Sequence, residues 1–256
     1  AYGRERNVQI VLWLTWLAVE KDMDRLFATL EEWGIPGVKI DFMDRSDQWM
    51  VGYYERVMKC AARHRLFVDM HGSYTPKGLC RTYPNLLTYE GVLGMEQGAR
   101  CKPEDNCSTG ANPMGTGTRA YQMALYVVFE SPLQMLADNP VLYRREHPCT
   151  EFLAAVPPTW DSLRVLRAAC GREVVVARRK GDKWYVGGIT NDRPYTTEIA
   201  LDFLPAGRTF TMTSFEDGVN ADLQATDYRK RVREVDASTV VKVEMVRNGG
   251  WAAVIE

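Results

Sequence analysis

The chain has 256 residues, 46% of them hydrophobic and 25% charged, with a formal net charge of -1. This is the balance of a globular protein with one large core or two smaller ones. It excludes a basic nucleic-acid-binding face and a polybasic lipid-binding run.

The first apolar run, Val8 to Leu17, is interrupted by Gln9 and Thr15 and falls far short of the roughly 20 residues of a membrane span. It reads as a buried strand, centred on Val8–Trp13, with no secretory leader pattern before it. Glu20–Trp33 follows with helical spacing of Met23, Leu26, Phe27, Leu30 and Trp33, and Gly34-Ile35-Pro36-Gly37 stops it. Val38–Phe42 is a second strand. Ser46 or Asp47 then caps a helix to about His64, with Met50, Tyr53, Tyr54, Val57 and Met58 on one face. Leu66–Met70 and Leu86–Tyr89 are further strands. Alternating strands and helices imply βαβ units and a parallel sheet or barrel, with chemistry at the C-terminal strand ends.

From about residue 170 the pattern changes. Glu173–Arg178, Lys183–Thr190, Thr197–Leu201, Thr209–Ser214, Val240–Val246 and Trp251–Ile255 read as short strands, with Gly181-Asp182 as a hairpin turn. The expected organisation is an α/β part over residues 1–170 and a small antiparallel β-sandwich over 171–256.

Six cysteines occur (Cys60, Cys80, Cys101, Cys107, Cys149 and Cys170), and the lack of any C-x-x-C pair argues against a zinc site. Cys101 and Cys107 share a polar loop and are either free thiols or a local disulfide. No G-x-S-x-G elbow, P-loop, G-x-G-x-x-G fingerprint or EF-hand loop is present. Of three histidines, His64 reads as a helix-end or surface group and His147 as a loop residue. His71, at a strand end, reads as a substrate-binding residue.

The strand ends carry Asp41, Asp44, Asp69, His71, Glu90 and Glu96. Paired carboxylates of this kind are what glycoside hydrolysis needs, although a strand-end aspartate also serves as a helix cap or ion-pair partner. Trp13 and Trp16, near the first strand end, suit either sugar stacking or core packing.

Val38-Lys39-Ile40-Asp41-Phe42-Met43-Asp44-Arg45 makes the pattern specific. With it come Val68-Asp69-Met70-His71-Gly72, Arg81-Thr82-Tyr83-Pro84-Asn85 and Glu90-Gly91-Val92-Leu93-Gly94-Met95-Glu96. Later in the chain stand Tyr126–Leu136 and Ala177–Thr190. Together these resemble glycoside hydrolase family 97. The resemblance implies a (β/α)8 barrel, here incomplete, followed by a small antiparallel β-sandwich, and activity as an α-galactosidase or α-glucosidase with calcium at the site. It implies Asp41 as nucleophile, Glu96 as acid/base, Glu90 and Glu96 as calcium ligands, and His71 as a substrate-binding residue. Lys39, Trp13, Asp69 and Arg81 are further expected substrate-binding residues.

Inverting members carry a base glutamate directly after that histidine. Gly72 stands there, so the resemblance implies a retaining enzyme, with α-galactosides as the expected substrate and an Asp41–Glu96 separation of about 5–5.5 Å. An α-glucosidase and an inactive carbohydrate-binding scaffold remain alternatives. The chain departs from the family in starting near the third barrel strand, in a short Gln97–Met114 stretch and at Thr75-Pro76-Lys77. A homo-oligomer or a missing N-terminal partner segment is expected to cover the open barrel. A periplasmic or secreted location is carried over from the family.

Overall fold

The computed structural model describes residues 2–74, 77–90, 117–136 and 139–256. Two compact units form, Ala1–Leu93 with Ser131–Leu133, and Gly94–Glu130 with Gln134–Glu256.

The first unit is a four-stranded parallel sheet in the order β1 (Val11–Thr15), β2 (Gly37–Asp41), β3 (Phe67–Met70) and β4 (Leu86–Tyr89). Register runs Thr15↔Asp41 and Ile40↔Met70 at the C-terminal ends. Between β1 and β2 lie two short helices, α1 (Trp16–Lys21) and α2 (Met23–Glu32). The single helix expected over Glu20–Trp33 is therefore broken. Asp22, at φ -160° and ψ 61°, leaves helical geometry between them. Thr15 accepts a hydrogen bond from the Ala18 N–H at 3.3 Å and starts α1 a turn earlier than the apolar spacing suggests.

Helix α3 (Gln48–Arg63) follows its sequence signals closely. Asp47 Oδ1 accepts from the N–H groups of Trp49 and Met50, both at 3.1 Å. Met50, Tyr53, Tyr54, Val57, Met58 and Ala61 face inward, and all are fully buried. A short helix, α4 (Leu79–Thr82), precedes β4.

Side chains alternate across a strand, and here the alternation sorts polar from apolar. Leu12, Leu14, Val38, Ile40, Val68 and Met70 pack against Phe27 and Leu30 of α2 and the inward face of α3. The intervening positions, Trp13, Thr15, Lys39, Asp41, Asp69, His71, Thr88 and Glu90, make the other face polar. A sheet covered on both sides would carry near-continuous apolar strands; this one leaves a face for chemistry.

The second unit has an antiparallel sheet ordered β10 (Tyr228–Val235), β9 (Phe210–Asp217), β12 (Gly250–Ile255), β7 (Lys183–Thr190), β6 (Glu173–Lys180) and β5 (Ser162–Ala169). A pair, β8 (Tyr195–Ala200) and β11 (Val240–Met245), stacks on one face through Ile199, Val241, Val243 and Met245 against Ala177, Val186, Met212, Trp251 and Ile255. Helices α5 (Arg119–Val128) and α7 (His147–Ala155) cover the other, through Met123, Ala124, Val127 and Phe152 on Val176, Tyr185 and Phe215. A short α6 (Pro140–Arg145) lies between them. A Cβ at Gly250 would stand 2.3 Å from the Tyr121 Cα, so this glycine allows helix and strand backbones to touch.

The β6–β7 hairpin turns at Gly181-Asp182 as expected, with Lys180 paired to Lys183 and Gly181 at φ 57°. Strands β5 and β10 were not legible in the sequence, and the sheet starts ahead of the break read near residue 170. Both are outer strands rich in cations: Arg164 and Arg167 on β5, and Arg229, Lys230, Arg231 and Arg233 on β10. Charge on an edge strand guards against further pairing and masks apolar alternation. No helix among the described residues is long and apolar enough to cross a membrane.

Candidate active site

The polar face of the parallel sheet ends in three loops tied to one another. His71 N–H donates to the Ile40 carbonyl at 2.8 Å, and Asp44 N–H to the Gly72 carbonyl at 2.7 Å. Gly72 N–H donates to Glu90 Oε2 at 3.1 Å, and Glu90 N–H to the Met70 carbonyl at 2.8 Å. Phe42 and Asp44 hold positive φ, 69° and 45°, a backbone region that costs a non-glycine residue about 1–2 kcal/mol.

Asp41 closes β2. Its Oδ2 accepts from Trp13 Nε1 at 2.9 Å and lies 3.9 Å from Lys39 Nζ. Its Oδ1 accepts from the Phe42 N–H at 2.7 Å. Both oxygens are thus fixed, and the charge has a cation beside it. Trp13 is half exposed and meets the exposed ring of Phe42 edge-on at 5.4 Å.

Asp69 closes a second group. It is fully buried and opposite Lys39 in register. His71 Nε2 lies 3.2 Å from Asp69 Oδ2 without making a hydrogen bond, and among the described residues neither Asp69 oxygen has a hydrogen-bond donor. A buried carboxylate left this way is expensive and marks a place where a ligand's donors fit. His71 Nδ1 is 3.5 Å from Glu90 Oε2.

The fold therefore gathers Trp13, Lys39 and Asp41, and beside them Asp69, His71 and Glu90. Arg81 is exposed on α4, and no hydrogen bond or ion pair among the described residues joins it to this group. Glu96 lies outside the described residues, as do Cys101 and Cys107, so the Asp41–Glu96 separation does too. Trp16 packs against the core beside Trp49 and Tyr53. Phe42 ends the strand read over Val38–Phe42, where an aromatic looks like core, but it has a positive φ and an exposed ring beside Trp13.

A cavity of about 510 Å³ is lined by Arg164, Leu166, Arg167 and Asp202 in the sandwich. Another, of about 670 Å³, opens near Pro36, Phe67 and Asn85, at the N-terminal ends of β2 and β3. Neither includes the strand-end acids, whose own chemistry is the stronger indicator. Calcium takes six to eight oxygens. Among the described residues Glu90 supplies one hard donor of the kind required, while the grouped metal-ligating side chains lie elsewhere, at Asp24, Cys60 and His64.

The family model described as Glycoside hydrolase 97 matches residues 1–92, and that described as Glycosyl-hydrolase 97 C-terminal, oligomerisation matches residues 159–256. A retaining alpha-galactosidase of Bacteroides thetaiotaomicron is 38% identical over 100% of this chain and 43% of its own length. A probable retaining alpha-galactosidase of Streptomyces bingchenggensis is 32% identical over 99% of this chain and 42% of its own. A family 97 enzyme from Pseudoalteromonas sp. strain K8, solved with panose, superposes with a TM-score of 0.88 at 28% identity, covering 100% of this chain and 48% of that one. The chain thus spans less than half the length of each of these relatives.

Proposed function

Because the chain belongs to glycoside hydrolase family 97, we propose that it carries the strand-end chemistry of a retaining α-galactosidase within a (β/α) barrel, with Asp41 as nucleophile and Glu96 as acid/base. The observation that supports retention is the space around Asp41. Gly72, where inverting members place their base, has φ 52°, and a Cβ there would lie 3.1 Å from Asp41 Oδ1 and 2.9 Å from the Phe42 nitrogen. That position has no room for a water-activating side chain, which leaves Asp41 as the described carboxylate at the expected nucleophile position.

In this reading an Asp41 oxygen attacks the anomeric carbon while the bond to the leaving oxygen breaks and Glu96 protonates that oxygen. Glu96 then deprotonates a water that displaces Asp41, releasing the sugar in its original α configuration. Trp13 N–H and Lys39 hold the carboxylate in line, which is worth more when it needs no rearrangement on binding. Asp69, whose oxygens lack hydrogen-bond donors among the described residues, accepts sugar hydroxyls, and the Trp13–Phe42 pair offers an apolar surface to the ring. Calcium belongs to the same proposal, held by Glu90 and Glu96. It would neutralise local negative charge and orient substrate oxygens, and no step above passes through it.

The test is hydrolysis of p-nitrophenyl α-galactoside and α-glucoside with and without a calcium chelator. Asp41→Gly should abolish turnover, and added azide should restore it with a β-glycosyl azide as product. Azide rescue that fails, in a folded variant of an active chain, would remove Asp41 from the nucleophile's role. Faster cleavage of the glucoside would select the α-glucosidase alternative. Sugar binding without any turnover would select the carbohydrate-binding one.

A further inference from the structure

The helices α2 and α3, which pack on the apolar side of the parallel sheet, bring together a second set of side chains with no part in the reading above. Cys60 and His64 are four residues apart at the end of α3 and so project from one face. Asp24 reaches them from α2. One donor atom from each of the three lies within 4.8 Å of the others. Cys60 Sγ is 3.6 Å and His64 Nε2 3.4 Å from the same oxygen, Asp24 Oδ1. Ligands on a tetrahedral zinc ion, with bonds of about 2.0–2.3 Å, stand roughly 3.3–3.8 Å apart. Two of the three edges already have that length.

A second observation points to a metal. The other ring nitrogen of His64, Nδ1, lies 3.1 Å from Glu31 Oε2. A carboxylate accepting from the far N–H is the arrangement that orients a metal-bound imidazole. With that proton on Nδ1, the other ring nitrogen, Nε2, faces Asp24 Oδ1, and either a second proton on the ring or a metal cation between the two atoms satisfies the pair. One cation already stands there: Arg63 Nη2 is 2.7 Å from Asp24 Oδ1 and 3.3 Å from Cys60 Sγ. Its side chain is 60% exposed and is free to swing into solvent.

We propose that Asp24, Cys60 and His64 bind a zinc-type divalent cation, with Glu31 orienting His64 and Arg63 displaced. On binding, the Cys60 thiol loses its proton to solvent and the imidazole binds through Nε2. The ion's two positive charges are then matched by one thiolate and one carboxylate, and water completes the tetrahedron. Cys60 is almost fully buried, which keeps its thiol protonated without metal and unsuited to redox exchange. A site clamping α2 to α3 on this side of the sheet is structural, and it stands or falls independently of the glycosidase reading.

The full chain, purified under reducing conditions and stripped with a chelator, is titrated with cobalt(II) as an optical probe and then with zinc. The expected result is one equivalent of cobalt with a thiolate-to-metal charge-transfer band that zinc abolishes. Cys60→Ser should lose the band. The exposed Asp24→Asn, which leaves the buried core untouched, should weaken binding, and Glu31→Gln should weaken it roughly 10–100-fold. Arg63→Ala should tighten it by removing the competing cation. No band in either the natural chain or Arg63→Ala would overturn the proposal, and so would a band that survives Cys60→Ser, since the metal would then sit on another thiol. A band confined to Arg63→Ala would overturn it for the natural chain.

Discussion

Gly72 shows how one missing side chain shapes the strand-end chemistry. Besides the Phe42 nitrogen and Asp41 Oδ1, a Cβ there would meet Asp44 Oδ1 at 3.1 Å, while its N–H and carbonyl tie Glu90 to Asp44. Gly72→Ala should therefore lower stability by about 1–2 kcal/mol for the left-handed backbone alone, with more for the close contacts. Urea denaturation measures the loss, and an alanine variant as stable as the natural chain would show that the loop adjusts freely. The same contacts separate Gly72 from an ordinary turn glycine such as Gly181, where nothing lies within 4 Å of a built Cβ.

At the scale of an element, α3 carries much of the first unit's core, and its start rests on Asp47. The carboxylate accepts two backbone N–H groups that would otherwise have no partner and also pairs with Arg45. The Arg45 guanidinium, with the Met50 and Trp49 N–H groups, holds its carboxyl below the usual carboxylate range. Asp47→Ala should cost about 1 kcal/mol, and Asp47→Asn, which keeps an acceptor, clearly less. Hydrogen exchange at Trp49 and Met50 reads this directly: unchanged protection in the alanine variant would show that the cap is not what holds the turn. Asp22 acts in the opposite sense, since its backbone interrupts a run whose apolar spacing continues straight through it.

For the whole molecule, stability against pH depends on a buried carboxylate in the second unit. Asp217 of β9 accepts from Thr118 Oγ1 at 2.6 Å and from the N–H groups of Val246 and Gly250 at 3.0 and 3.2 Å, so it ties the first turn of α5 to the sheet. Burial pushes its pKa from 3.8 up to about 6, against those hydrogen bonds and the nearby Arg229. A folded-state value above the unfolded one means the folded chain binds the proton more tightly. The contribution is therefore complete below about pH 4 and lost as pH rises through about 6. Relative to Asp217→Asn, the natural chain should lose up to roughly 3 kcal/mol of unfolding free energy between about pH 4 and pH 7. A difference that stays flat or grows across that window would mean that the hydrogen bonds outweigh burial and Asp217 titrates in the ordinary range.

Strand β1, expected as a buried strand centred on Val8–Trp13, runs Val11–Thr15 and buries none of its residues. Strands β2, β3 and β4, α3 with its cap, the Gly181-Asp182 hairpin and the strand-end acids Asp41, Asp69 and Glu90 were all determined by sequence. Each is a local matter of two-residue or three-to-four-residue periodicity, or of a turn residue. The motifs around Asp41, His71 and Glu90 were enough to point to the family. Four features needed the tertiary structure. Strands β5 and β10 pair only because a sheet edge is there to receive them, since their arginines hide the alternation. Phe42 faces outward because Asp44 and Gly72 hold its loop in a left-handed turn. Asp69 lacks donors among the described residues because burial by neighbouring strands removes water without replacing it. Asp24 meets Cys60 and His64 only where α2 packs on α3, across 36 and 40 residues of chain. Periodicity reports which way a side chain points; what it meets there depends on segments far away in sequence.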